Sequence, residues 1–155
     1  ERPPPVGREG LPDARRLALQ PQAGVDPAAA QLAAAVRQVR ASLALLYSAA
    51  DVFAAPSLQD NLPNTVMESL ACATPVIAFT TGGIPDMVKH LQNGYLAKYE
   101  DAADLADGIE WLFLHEQREE IQKEARRTIL STFAPPVIAE QHALLYLKLL
   151  DDMPK

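Results

Sequence analysis

Two short apolar runs, each stopped abruptly and followed by a polar loop, constrain the fold of this chain more than any other feature. Val52-Phe53-Ala54-Ala55 is closed by Pro56, and Pro75-Val76-Ile77-Ala78-Phe79 gives way to Thr80-Thr81-Gly82-Gly83. Neither run alternates apolar with polar residues, so neither has a side suited to water. Such segments read as buried strands. Between them, Val66, Leu70 and Ala73 share one side of a helix over 65–73. A short helix follows over 84–89, with Pro85 in its first turn, then a turn at Asn93-Gly94 and a third strand at Tyr95-Leu96-Ala97. Strands alternating with helices every ~20 to 25 residues predict an α/β fold, a Rossmann-like parallel sheet flanked by helices and joined by right-handed crossovers. Three strands are few for such a sheet. Either the domain is incomplete, or a strand hides in a stretch that reads as helix.

The flanks have a different texture. Six of the thirteen prolines and three of the seven glycines fall within residues 1–27, and no aromatic precedes Tyr47. Residues 1–30 therefore read as a Pro/Gly-rich leader or linker, and the domain proper as 31–155. Asp26-Pro27 opens a helix over 28–50, in which Leu32, Val36, Val39, Leu43 and Leu46 form one face; the pattern permits a break near 40–42. After the third strand Asp101 can cap a helix carrying Leu105, Ile109 and Leu112, and Ile121, Ala125 and Ile129 mark another. Pro135-Pro136 opens a last helix over 135–150, with Ile138, Leu145 and Leu149 expected to point inward.

Charge and cysteine content exclude several classes of function. Fourteen Lys and Arg against twenty Asp and Glu leave a net charge of −6, the wrong sign for a general nucleic-acid backbone binder. No apolar run approaches the ~20 residues that span a bilayer, and the start of the sequence lacks the layout of a signal peptide. The lone Cys72 cannot form an internal disulfide or a cysteine-based metal site, and His90, His115 and His142 are scattered without metal-ligand spacing. A cytoplasmic globular domain is the expectation.

In an open parallel sheet, ligands bind beyond the carboxyl ends of the strands. Two loops leave such ends here, 56–64 and 80–83, and both run into a helix start, where free N–H groups and the helix dipole favour an anion such as a diphosphate. At these loops the sequence resembles a known family. The run from Leu46 to Ser57 (LYSAADVFAAPS), then Gln59-Asp60-Asn61-Leu62-Pro63-Asn64-Thr65-Val66-Met67-Glu68, is similar to the donor-binding half of retaining "group 1" glycosyltransferases of the GT-B fold. Ala71-Cys72-Ala73-Thr74-Pro75, Gly82-Gly83-Ile84-Pro85-Asp86 and Asn93-Gly94-Tyr95-Leu96 extend the resemblance in order. It is strong over 43–110, moderate to about 150, and almost absent before 40.

The resemblance implies a nucleotide-diphospho-sugar donor and a role for each matched position. Glu68 would accept hydrogen bonds from the ribose hydroxyls. Asp60, the candidate catalytic residue, would face the donor sugar and its phosphates together with the backbone of Asn61, Leu62, Pro63 and Asn64. Thr65 lies at the helix start, where the diphosphate would rest. Gly82, Gly83 and Ile84 would bring a second loop close to the donor, since glycine presents no Cβ. Amides fixed at a helix end would stabilise the charge that grows on the departing diphosphate, as an oxyanion hole does. The scheme requires no metal or other cofactor, and the chain has no Asp-x-Asp motif.

The sequence also departs from the family. Asp60 stands where Glu is usual, and Ala73 where Gly is usual; if that position needs positive φ, Ala adds ~1 kcal/mol of strain. Family members contact the donor phosphates with an Arg and a Lys on an earlier segment, but no lysine precedes Lys89, and Arg8, Arg15 and Arg16 lie in unrelated contexts. The acceptor-binding N-terminal half is missing, so a separate acceptor domain or subunit, or a homodimer covering exposed apolar faces such as 144–150, is expected.

Plainer readings stand beside these. Thr65-Val66-Met67-Glu68 matches a capping box that needs no ligand, Asp60 is an ordinary turn residue, and Gly82-Gly83 an ordinary strand-to-helix turn. Cys72 reads as a small packed hydrophobe and Trp111 with Phe113 as core, while Glu116, Glu119, Glu120 and Glu124 form a solvated face. An α/β interaction module that kept the fold and lost the chemistry is thus the alternative to a glycosyltransferase donor domain.

Overall fold

The structure, a computed structural model, describes residues 26–151; residues 1–25 of the expected leader lie outside them. In chain order the elements are α1 (Pro27–Ala49), β1 (Phe53–Ala55), α2 (Asn64–Ala71), β2 (Val76–Phe79), α3 (Ile84–Met87), β3 (Gly94–Ala97), α4 (Ala102–Leu114), α5 (Arg118–Thr132) and α6 (Pro135–Asp151). The chain divides into two units at Gln38–Val39. The first is described only through residues 26–38, which are helical from Pro27 onward.

The three strands form one sheet in the order β1-β2-β3, both pairs parallel. Central β2 is buried along its whole length, as its unbroken apolar run demands. Pleating divides the sheet into two faces. Phe53, Ala55, Val76, Ala78 and Leu96 face a core completed by Val66 and Leu70 of α2, Ile84 and Met87 of α3, and Ala125 and Ile129 of α5. On the opposite face, Ile77 and Tyr95 meet Leu105, Ile109, Trp111 and Leu112 of α4, joined by Ile121. α4 lies over β2 and β3. The matching position of β1 is left uncovered, so Ala54 is exposed and β1 is less buried than its composition suggests.

The helix signals hold where side chains can be traced to partners. Asp101 caps α4 by accepting from the amides of Ala103 and Asp104 at 3.1 and 3.0 Å. Thr65 forms no capping box. α2 begins at Asn64 with Pro63 as the preceding cap residue and no side-chain cap, which places Thr65 inside the helix and past the position such a box requires. At the other end of α2, the Thr74 amide donates to Ser69 O and the Ala73 amide to Leu70 O, both at 3.0 Å. This is the paired pattern of a Schellman ending, with Ala73 at the left-handed position, φ 64°.

Three apolar faces lack a covering surface, and for Leu145, Leu149 and Phe113 this overturns an expected inward position. α1 runs unbroken through 40–42, and its stripe stays in water: Leu32, Val39 and Leu46 are 67%, 67% and 68% exposed, and only Tyr47 is buried. α6 buries no residue; Leu145 and Leu149, read as inward, are exposed, and with Leu144, Tyr146, Leu147 and Leu150 they form the exposed apolar face expected over 144–150. Phe113 projects outward beneath the Arg118 guanidinium, 5.1 Å from its ring centre, while Trp111 stays half-buried beside Tyr95.

Candidate functional site

The loops leaving β1 and β2 meet. The Gly83 amide donates to Asn61 O at 2.7 Å, and the Thr81 hydroxyl donates to Leu58 O at 3.1 Å. Glycine is obligatory at this junction. A Cβ on Gly82 would sit 1.6 Å from Asp60 O, and one on Gly83 2.3 Å from Asn61 O; Gly82 also has φ +50°. The glycines therefore admit the neighbouring loop, which is a different reason from the close donor approach expected of them. The amides of Gly83 and Ile84 are committed to Asn61 O and Thr81 O, and the Ile84 side chain is fully buried. Asp60 is half-buried at the junction, Pro63 is buried, and Asn61, Leu62, Asn64 and Thr65 are exposed.

From that junction the chain enters α2. No side chain caps its first amides, so the positive end of the helix dipole is open. One turn on, Glu68 lies on the same side as Asn64. Both line a cleft of about 480 Å³ between α1 and α2, together with Arg40, Leu43, Ala44, Tyr47, Ala71 and Cys72. Asp60, Thr65, Gly82, Gly83 and Ile84 are not among the lining residues. Asn64 is the point where the loop junction and the cleft adjoin. Cys72, expected to be packed away, is only half-buried on the cleft wall.

Two cleft residues were not singled out from the sequence. Arg40, Leu43, Ala44 and Tyr47 sit at i, i+3, i+4 and i+7, one face of α1; carrying that periodicity back to a charged residue would have found Arg40. Tyr47 is anchored by its backbone, whose carbonyl accepts from the Thr74 hydroxyl at 2.6 Å, and by its ring, edge-on to Phe53 at 5.6 Å. Burial, and after it the nearby Glu68 charge, raise its phenol above the ordinary value.

Elsewhere the titratable groups are structural. Asp104 accepts from the Tyr95 hydroxyl at 2.7 Å and from the Lys98 amide at 2.8 Å, fastening α4 to β3. His90 Nδ1 accepts from the Leu96 amide, and His115 ends α4. A hollow of about 540 Å³ is lined by the single stretch 115–122 and shares no residue with either loop.

Comparison with known proteins gives the class of protein in which this arrangement occurs. Residues 31–128 match the model of the family described as glycosyl transferases group 1. The chain belongs to that family. It is 28% identical over 112 residues to N-acetyl-alpha-D-glucosaminyl L-malate synthase of Bacillus anthracis, covering 72% of this chain and 29% of the relative. Among solved structures it is similar to sucrose-phosphate synthase from Thermosynechococcus elongatus, with a TM-score of 0.65 and 27% identity over 86% of this chain and 37% of that one. It is also similar to Anabaena HepE in complex with UDP-glucose, with a TM-score of 0.60 and 26% identity over 66% of this chain and 29% of that one. The chain thus spans well under half the length of these relatives. Among the described residues no helix is long and apolar enough to cross a membrane.

Proposed function

We propose that this chain is the donor-binding part of a retaining glycosyltransferase, recognising a nucleotide-diphospho-sugar and acting with an acceptor-binding domain or subunit. The observation that carries the reading is the junction at Gly83 and Asn61, placed directly ahead of an uncapped helix whose next turn presents Glu68 to a cleft. The diphosphate rests at the start of α2 near Asn64 and Thr65, where N–H groups and the helix dipole favour negative charge. Glu68 accepts from the ribose hydroxyls. Asp60, on the same loop, faces the donor sugar. When the bond from sugar to diphosphate breaks, charge accumulates on the leaving group, and amides already fixed at the helix end stabilise it without reorganising. This scheme calls for no metal.

The solved relative holding UDP-glucose favours a uridine nucleotide over a guanosine or adenosine one. A cytoplasmic location fits a single cysteine with no disulfide partner. The exposed faces of α1 and α6 suit either the remainder of a longer enzyme or a second copy of the chain.

One observation favours the interaction-module alternative: neither loop, 56–64 nor 80–83, carries a Lys or Arg to meet a diphosphate. Calorimetric titration with UDP-, GDP- and ADP-sugars separates the two. Binding that Glu68→Ala abolishes and Glu119→Ala leaves intact supports the donor site. No binding of any nucleotide sugar at millimolar concentration rejects it in favour of the module.

A further inference from the structure

We propose that Thr81 is a positioning residue, its hydroxyl fixing the loop that carries Asp60 so that this carboxylate meets the donor sugar already oriented. This inference rests on the donor-binding reading above. Among the described residues no hydrogen bond or ion pair engages the Asp60 carboxylate, so its direction depends on how firmly its backbone is held. Three consecutive residues of the second loop hold it. The Thr81 hydroxyl donates to Leu58 O at 3.1 Å, Gly82 admits Asp60 O where a Cβ would sit 1.6 Å away, and the Gly83 amide donates to Asn61 O at 2.7 Å. Asp60 is thus bracketed by one tie two residues before it and another one residue after it. The holding loop is itself anchored to the sheet, since the Thr80 amide and hydroxyl both donate to Ala97 O at the end of β3, at 2.8 and 2.9 Å.

The two ties act on different parts of the site because of their places along the chain. The tie to Asn61 lies on the α2 side of Asp60 and sets the approach to the helix start and to Glu68. The tie to Leu58 lies on the β1 side, where Leu58 and Gln59 are exposed and no core contact holds the chain. Without the hydroxyl this stretch regains freedom, and ordering Asp60 against a sugar then weakens binding. The part of the site that meets the nucleotide keeps its geometry.

The test is calorimetric titration of UDP-glucose and of UDP on the unmodified chain, Thr81→Val, Thr81→Ser, Asp60→Ala, and Thr81→Val combined with Asp60→Ala. Valine keeps the branched shape and removes the donor, whereas serine keeps the donor. Thr81→Val should weaken UDP-glucose by about two- to tenfold and leave UDP unchanged. Thr81→Ser should bind UDP-glucose as the unmodified chain does, and valine should add no loss in the Asp60→Ala background. A merely structural threonine would weaken both ligands alike, with or without Asp60. That pattern, an unchanged UDP-glucose affinity in Thr81→Val, or a serine variant as weak as the valine one overturns the inference, while UDP binding by the unmodified chain still supports the donor site. If the unmodified chain binds neither ligand, the donor-site reading falls and the inference with it.

Discussion

Ala73 occupies a backbone conformation that its side chain opposes, so replacing it with glycine should stabilise the protein. The residue has φ 64° at the left-handed position that ends α2, where a Cβ costs about 1–2 kcal/mol. Hydrogen bonds fix the backbone on both sides. Ala73 and Thr74 donate back into α2, the Ser69 hydroxyl donates to Thr74 O, and the Thr74 hydroxyl donates to Tyr47 O. The strain therefore cannot relax without undoing the ending that leads into β2. Glycine removes the Cβ, but its greater freedom in the unfolded chain returns about 0.4–1 kcal/mol. The net gain is about 0.5–1 kcal/mol, or a rise in melting temperature of about 1–4 °C. Calorimetric melting of Ala73→Gly beside Ala106→Gly checks it. Ala106 is an exposed residue inside α4, where the same change should destabilise by roughly 0.5–1 kcal/mol. Opposite signs are expected. A melting temperature for Ala73→Gly at or below the unmodified protein would refute the strain argument.

The other predictions address the loops, the pH response and the exposed helix. Gly82→Ala should lower the melting temperature and eliminate UDP binding in calorimetry, since its Cβ would fall 1.6 Å from Asp60 O; unchanged binding would show that the loop junction is not part of the site. The Tyr95 phenol is pushed up to about 12, first by its hydrogen bond to Asp104 and then by burial. Its contribution to stability is therefore complete below the ordinary value of 10.0 and lost as pH rises through about 12. Asp104 is held below its ordinary 3.8, chiefly by the same hydrogen bond, so its contribution is present above that value and lost as pH falls below it. Urea midpoints of the unmodified chain and Tyr95→Phe should accordingly differ at neutral pH and converge at both extremes; a constant difference rules out the linkage. Ending the chain after Ala134 should move the melting temperature by at most about 2 °C, because α6 buries nothing. A large loss would show that α6 carries part of the core.

The sheet and its loops were legible because their signals are local or self-completing. An unbroken apolar run such as 76–79 can only be satisfied from both sides, and helices on both faces supply that cover. Asp101 needed no partner beyond the two amides that follow it. The candidate site was legible only in part. The two loops meet, and the reason that Gly82 and Gly83 must be glycine is tertiary: the carbonyls of Asp60 and Asn61 occupy the space. Likewise the Thr65 capping box failed because the helix start is set by Pro63 two residues earlier, where the chain turns out of the loop. Arg40 and Tyr47 belong to a helix whose own pattern does not name its neighbour, and only the fold brings that helix beside Glu68.

The exposed stripes of α1 and α6 carry information of their own. A periodic apolar face states that a surface is needed and says nothing of where it comes from. In α5, Ile121, Ala125 and Ile129 find that surface within the chain and are buried. The same periodicity in α1 finds only Tyr47 a buried place, and α6 finds none. Six large apolar residues between 144 and 150 standing in water are more than scattered surface hydrophobics require. Relatives of which this chain spans 29–37% have further polypeptide with which to cover such faces. The cleft that holds Glu68 has α1 as one wall. Whatever covers the outer stripe of α1 therefore also bears on how firmly Arg40 and Tyr47 are held against a ligand, and donor affinity should be coupled to the presence of that cover.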